Sequence, residues 1–84
     1  MKTTMITGPT AGIGKSIAYQ LAERGENLLL VARREDRLKS ISDDLESKFN
    51  VKVNYIVADL TLQQAPKEIY TYCQSKGLDI STLV

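Results

Sequence analysis

Thr7-Gly8-Pro9-Thr10-Ala11-Gly12-Ile13-Gly14 joins a short β-branched run, Thr3 to Thr7, to a stretch with helical periodicity. From Gly12 onward, Ile13, Ile17 and Leu21, with Ala18 and Ala22, line one helix face, and Gly25 supplies the glycine expected just past a helix end. A glycine-rich turn at such a junction lets the backbone approach an anion closely. The helix start adds free N–H groups and the positive end of the helix dipole. Strand, loop and helix therefore come in the order that phosphate binding requires.

Working outward, Asn27 to Ala32 carries the continuous apolar run Leu28, Leu29, Leu30 and Val31, which suits a strand covered on both faces. Leu38, Ile41, Leu45 and Phe49 recur at helical spacing and predict a second amphipathic helix. Val51 to Ala58 predicts a third strand, through Val51, Val53, Tyr55 and Val57. Thr61 and Gln64 form a capping-box pattern for a third helix reaching Lys76 and Gly77, and Ile80 to Val84 predicts a fourth strand.

Strict alternation of this kind implies an α/β fold, a three-layer parallel sheet with right-handed crossovers. In the Rossmann-type arrangement of such a sheet the expected strand order is 3-2-1-4. The helices after the first two strands should share one face, leaving the other to the third helix. Because the pattern stops inside a strand, residues 1–84 are expected to be a truncated domain, βαβαβα plus the start of strand four. Leu28–Val31 and Met5–Ile6 should then be partly open to water and Ile80–Val84 should form an exposed edge. Self-association, or a partner covering the sheet, is expected from such a surface.

Composition narrows the function classes. Eleven Lys plus Arg against ten Asp plus Glu give a formal charge of +1, which provides no field for nucleic acid or an anionic membrane. The single cysteine, Cys73, has no internal disulfide partner, and without histidine a zinc site lacks its usual ligands. No stretch reaches the roughly 20 apolar residues of a membrane span, and the N-terminus lacks the apolar core of a signal peptide. A cytoplasmic setting is expected.

Two chemistries compete for the glycine loop. Gly14-Lys15-Ser16 closes like a P-loop, whose lysine reaches phosphates and whose hydroxyl binds magnesium; Asp59, ending the third strand, could then assist the metal. A P-loop, however, has four residues between its first glycine and the closing Gly-Lys-Ser/Thr. Gly8 to Gly14 spans five, and Pro9 stands where the glycine is needed.

Thr7-Gly8-x-x-x-Gly12-Ile13-Gly14 is instead similar to the fingerprint of the classical short-chain dehydrogenases/reductases, a Rossmann-type family. The similarity runs through all 84 residues. Leu29-Leu30-Val31-Ala32-Arg33-Arg34-Glu35-Asp36-Arg37-Leu38 resembles the family's second strand end, and Ala58-Asp59-Leu60-Thr61 its signal after strand three. In flavour it is nearest to the branch with hydroxysteroid and long-chain ketoacyl reductases. The resemblance implies an oxidoreductase with a dinucleotide cofactor, residues 1–84 being the N-terminal part of its binding domain.

Dinucleotide folds distinguish NAD from NADP at the end of strand two, where an acid accepts from the ribose 2′-hydroxyl. Ala32 leaves that place without a carboxylate, and Arg33 and Arg34 follow with guanidinium forks suited to a 2′-phosphate. NADP is therefore expected. By the resemblance, Gly8, Gly12 and Gly14 shape the turn, and the Ile13 amide faces the pyrophosphate. Thr10 lies near the adenosine ribose or its phosphate, and Asp59 and Leu60 flank the adenine. Pro9 departs from the family's small residue and removes one donor.

Family catalysis uses a Tyr, a Lys four residues on, and Ser and Asn partners. Tyr72 and Lys76 have that spacing but fall on the helix before strand four, whereas the family's catalytic helix comes after it. No catalytic residue is assigned. The family's Asn-Asn-Ala-Gly motif would begin after Val84, so the chain alone is expected to be inactive.

Overall fold

In the computed structural model, which describes residues 2–8, 12–59 and 65–83, β1 (Lys2–Thr7), α1 (Gly12–Glu23), β2 (Leu28–Ala32), α2 (Glu35–Lys48), β3 (Val53–Val57), α3 (Ala65–Lys76) and β4 (Asp79–Leu83) alternate along the chain. The strands form one parallel sheet in the order β3-β2-β1-β4, as expected for the Rossmann-type arrangement. The chain is a Rossmann-type α/β fold.

The apolar run of β2 explains the layering. Side chains of a strand alternate between faces, so Leu28 and Leu30 point into one cluster while Leu29 and Val31 point into another. The first cluster lies under α1 and α2 and includes Ile6, Ala18, Ala22, Leu38, Ile41 and Leu45. The second lies under α3, through Ile69 and Cys73. Each fully buried Leu or Ile here contributes roughly 1.5–3 kcal/mol relative to exposure.

Leu28 to Val31 and Ile6 are fully buried, which corrects the expectation that they stay partly open. β2 sits between β1 and β3, and α3 alone suffices to cover its second face. Only Met5 of that group is half-exposed. It borders an apolar-walled groove of about 560 Å³ between α3 and the β1–β4 pair, with Ile69, Cys73, Leu78 and Ile80.

Helix ends follow their local chemistry. Glu26 donates to the Leu21 carbonyl (3.1 Å) and Leu78 to the Cys73 carbonyl (2.9 Å), the six-to-one closures of helices that end at Gly25 and Gly77. β3 is shorter than the predicted Val51–Ala58 because side chains replace ladder partners at its start. The Lys52 amide donates to Asn27 Oδ1 at 3.0 Å and the Val53 amide to Glu46 Oε2 at 2.9 Å. Among the described residues, no helix is long and apolar enough to cross a membrane.

Candidate functional site

β1, β2 and β3 end at the same end of the sheet. Thr7 pairs with Val31, Val31 with Ile56, and Ala32 with Val57, so the three strands end level. The Gly8 amide donates to the Val31 carbonyl at 3.0 Å, and the Ala58 amide to the Ala32 carbonyl at 2.9 Å. The first residue after β1 and the first after β3 are thus both pinned to β2.

Gly8 and Gly12 have φ of 65° and 59°, in the left-handed region. Side-chain-bearing residues pay about 1–2 kcal/mol there. A Cβ at either position would meet nothing within 4 Å, so glycine is required by the backbone angle and the space before it stays open. Gly14 follows in the first turn of α1, and that turn contains no acid. Ile13 is 80% exposed, which corrects the expectation that it shares the apolar face of α1: it stands in the first turn, and burial begins with Ala18.

At the end of β2, Ala32 is half-buried and Arg33 and Arg34 are exposed. Arg34 is the N-cap of α2, with extended φ and ψ of −110° and 107°. A guanidinium offers no acceptor to the helix amides, so the favourable charge at this helix start comes from Glu35 and Asp36 in its first turn. Asp59 stands two residues beyond β3, half-buried at the same end of the sheet. Thr10 and Leu60 lie outside the described residues, as do Pro9, Thr61 and Gln64.

Away from this end, Tyr72 and Lys76 sit on α3. The ammonium lies 6.0 Å over the Tyr72 ring centroid. Burial, with smaller contributions from Cys73 and Tyr55, pushes the phenol up, the opposite of what a general base requires. Cys73 is buried and its thiol is likewise pushed up by burial. Among the described residues no cluster of acids and cysteines could hold a metal.

A second polar constellation, unforeseen in the sequence, joins α1 to α2. The Tyr19 hydroxyl donates to Asp44 Oδ2, and Lys48 Nζ pairs with the same oxygen at 3.2 Å. Lys48 also lies 5.6 Å over the Tyr19 ring, which meets Phe49 edge-to-face at 6.5 Å. The Asp44 hydrogen bond, then burial and the Asp44 charge, pushes Tyr19 up to about 12. The phenol, with Lys48 and Lys15, in turn holds the Asp44 carboxyl low. Lys15 shares a groove with Tyr19, Asp43 and Asp44. The Asp44–Lys48 spacing was legible as a helical pair; the tie to Tyr19, 25 residues away, had no local signal.

Residues 2–84 match the sequence profile of the family described as short chain dehydrogenase. The chain belongs to that family. It is 41% identical over 80 residues to the very-long-chain 3-oxoacyl-CoA reductase of Rattus norvegicus, covering 95% of this chain and 25% of that protein. An alcohol dehydrogenase from the archaeon Thermococcus sibiricus, solved with 5-hydroxy-NADP, superposes with a TM-score of 0.91 at 34% identity; the match covers 99% of this chain and 35% of that one. L-sorbose reductase from Gluconobacter frateurii, solved with NADPH and L-sorbose, gives a TM-score of 0.82 at 34% identity, covering 88% and 28%. This short-chain dehydrogenase chain thus spans about a quarter of the length of the curated relatives it matches.

Proposed function

We propose that residues 1–84 are the NADP(H)-binding portion of a short-chain dehydrogenase/reductase whose complete protein transfers hydride between NADP(H) and a carbonyl or alcohol. The observation that carries the choice of cofactor is the end of β2: Ala32 provides no carboxylate, and two exposed arginines follow it. A 2′-phosphate would meet two guanidinium forks there and no acid from the strand itself. The donor set fits the rest of an anionic dinucleotide as well. Left-handed Gly8 and Gly12 open the turn, and α1 begins without a carboxylate to compete for its amides.

NADPH supplies the hydride when bound; this chain's residues bind and orient. The amides at the start of α1, Ile13 among them, hold the pyrophosphate. By the family resemblance, Thr10 would serve the adenosine ribose or its phosphate, Arg33 and Arg34 would take the 2′-phosphate, and Asp59 and Leu60 would flank the adenine. No residue of this chain is assigned to proton transfer, because the Lys76 ammonium faces the Tyr72 ring and burial raises the phenol. Residues 1–84 by themselves are expected to show no turnover. The NADPH complexes solved for L-sorbose reductase and for a short-chain dehydrogenase from Sphingobium yanoikuyae support the same choice of cofactor.

Fluorescence titration with NADPH, NADH and magnesium-ATP tests this reading. NADPH should bind most tightly, NADH more weakly, and magnesium-ATP should not displace either. Tight magnesium-ATP binding with no response to NADPH would instead establish the P-loop alternative.

A further inference from the structure

α1 and α2 lie on the same face of the sheet, each anchored along its inner side: α1 by Ala18 and Ala22, α2 by Leu38, Ile41 and Leu45. Beyond that anchorage the two helices are tied to each other by one polar assembly. The Tyr19 phenol donates to Asp44 Oδ2, Lys48 pairs with the same carboxylate, and the Tyr19 ring contacts both the Lys48 ammonium and Phe49. Lys48 and Asp44 keep 59% and 38% of their side-chain surface in water, and pairs so exposed contribute little to stability. The assembly has a geometric consequence instead. It links, side by side, two helices whose N-termini lie at the same end of the sheet.

We infer that the Tyr19–Asp44–Lys48 clasp sets the distance between the amides at the start of α1 and the Arg33–Arg34 pair at the start of α2, making Tyr19 and Asp44 positioning residues for cofactor selectivity. This rests on the NADP reading above. NADPH carries two anionic groups on one adenosine, the pyrophosphate for α1 and the 2′-phosphate for the arginines. Both sites are satisfied together only if their separation matches the ligand, and small misplacements of pre-organised groups are costly. NADH lacks the second anion and tolerates a looser spacing. Gly12 to Tyr19 is about 10 Å of helix axis, and Glu35 to Asp44 about 14 Å. The tie is therefore a few turns from both ends, and it shares a groove with Gly12 at the start of α1.

Two measurements on the full chain decide the matter. Nitroxide labels at Ser16 and Lys39, both exposed, in a Cys73→Ala background report the spacing of α1 and α2 by pulsed electron spin resonance. Tyr19→Phe keeps the ring contacts and removes the hydrogen bond; the distance distribution should widen. The preference for NADPH over NADH should fall about fivefold, with the NADH dissociation constant unchanged. Asp44→Ala should behave like Tyr19→Phe, whereas Asp44→Asn, whose amide oxygen still accepts the phenol proton, should stay near wild type. An unchanged distance distribution, or equal weakening of both cofactors, overturns the inference. If the wild-type chain binds neither cofactor, the NADP reading falls, and the distance distribution still decides whether the clasp sets the spacing.

Discussion

α1 and α2 begin at the same end of the sheet, yet their first turns are built in opposite ways. The start of α1 has two left-handed glycines before and at its first residue and no acid in its first turn. The start of α2 has Arg34 at the cap and Glu35 and Asp36 immediately inside. Carboxylates in a first turn satisfy the helix dipole from within the protein. α2 therefore stabilises itself and presents its cations as side chains, while α1 leaves its positive end for something external. On the proposed reading, the difference would separate backbone binding at α1 from side-chain binding at α2, and it ranks the consequences expected of mutation.

The largest effect should come from giving α1 what α2 has. Gly12→Asp puts a carboxylate at the open helix start and a side chain at φ 59°. Strain of roughly 1–2 kcal/mol should lower the thermal midpoint. Repulsion at the pyrophosphate site should weaken NADPH and NADH alike, by about 100-fold, or roughly 3 kcal/mol. Circular dichroism separates folding from binding in this variant. If both cofactors still bind while the fold persists, α1 does not hold the pyrophosphate.

Next comes the arginine side of the comparison. Arg33→Ala should weaken NADPH by about 1.5–3 kcal/mol, the range for hydrogen bonds to charged groups, and leave NADH nearly unchanged. Equal losses for both cofactors, measured by fluorescence titration, would remove the 2′-phosphate assignment.

The two helix starts were also unequally legible in the sequence. The Gly8–Gly14 loop could be read because glycine at a strand-to-helix junction has few other uses, and the structure places Gly8 and Gly12 in the left-handed region. The apolar run Leu28–Val31 pointed to a strand inside a parallel sheet, while the strand order came from the Rossmann-type arrangement and not from the run itself. Its complete burial was not anticipated, since the reach of α3 across β2 depends on the packing of Ile69 and Cys73 rather than on any local pattern. Strand ends were overestimated wherever a side chain replaced a ladder bond, as Asn27 and Glu46 do for Lys52 and Val53. The Tyr19–Asp44 contact was invisible because a tyrosine in an amphipathic helix looks like any other boundary residue until a neighbouring helix supplies its acceptor.

The smallest effect concerns the two acids that make α2 self-sufficient. Glu35 and Asp36 stabilise the helix start, each by about 0.3–1 kcal/mol at low ionic strength. Replacing them together by Gln and Asn should therefore lower the thermal midpoint by several degrees, at about 4–8 °C per kcal/mol for a domain of this size. The same carboxylates lie within the first turn beside Arg33 and Arg34, where a doubly charged 2′-phosphate would feel their repulsion. Neutralising them should tighten NADPH by about two- to threefold in low salt and leave NADH unmoved, with the gain fading as salt screens the turn. Stability and NADPH affinity then move in opposite directions, an outcome expected only if the acids belong to the helix and the arginines to the ligand. If NADPH affinity instead falls together with the midpoint, Glu35 and Asp36 are holding the arginine pair in place, and the self-sufficiency of α2 is part of the binding site rather than a feature beside it.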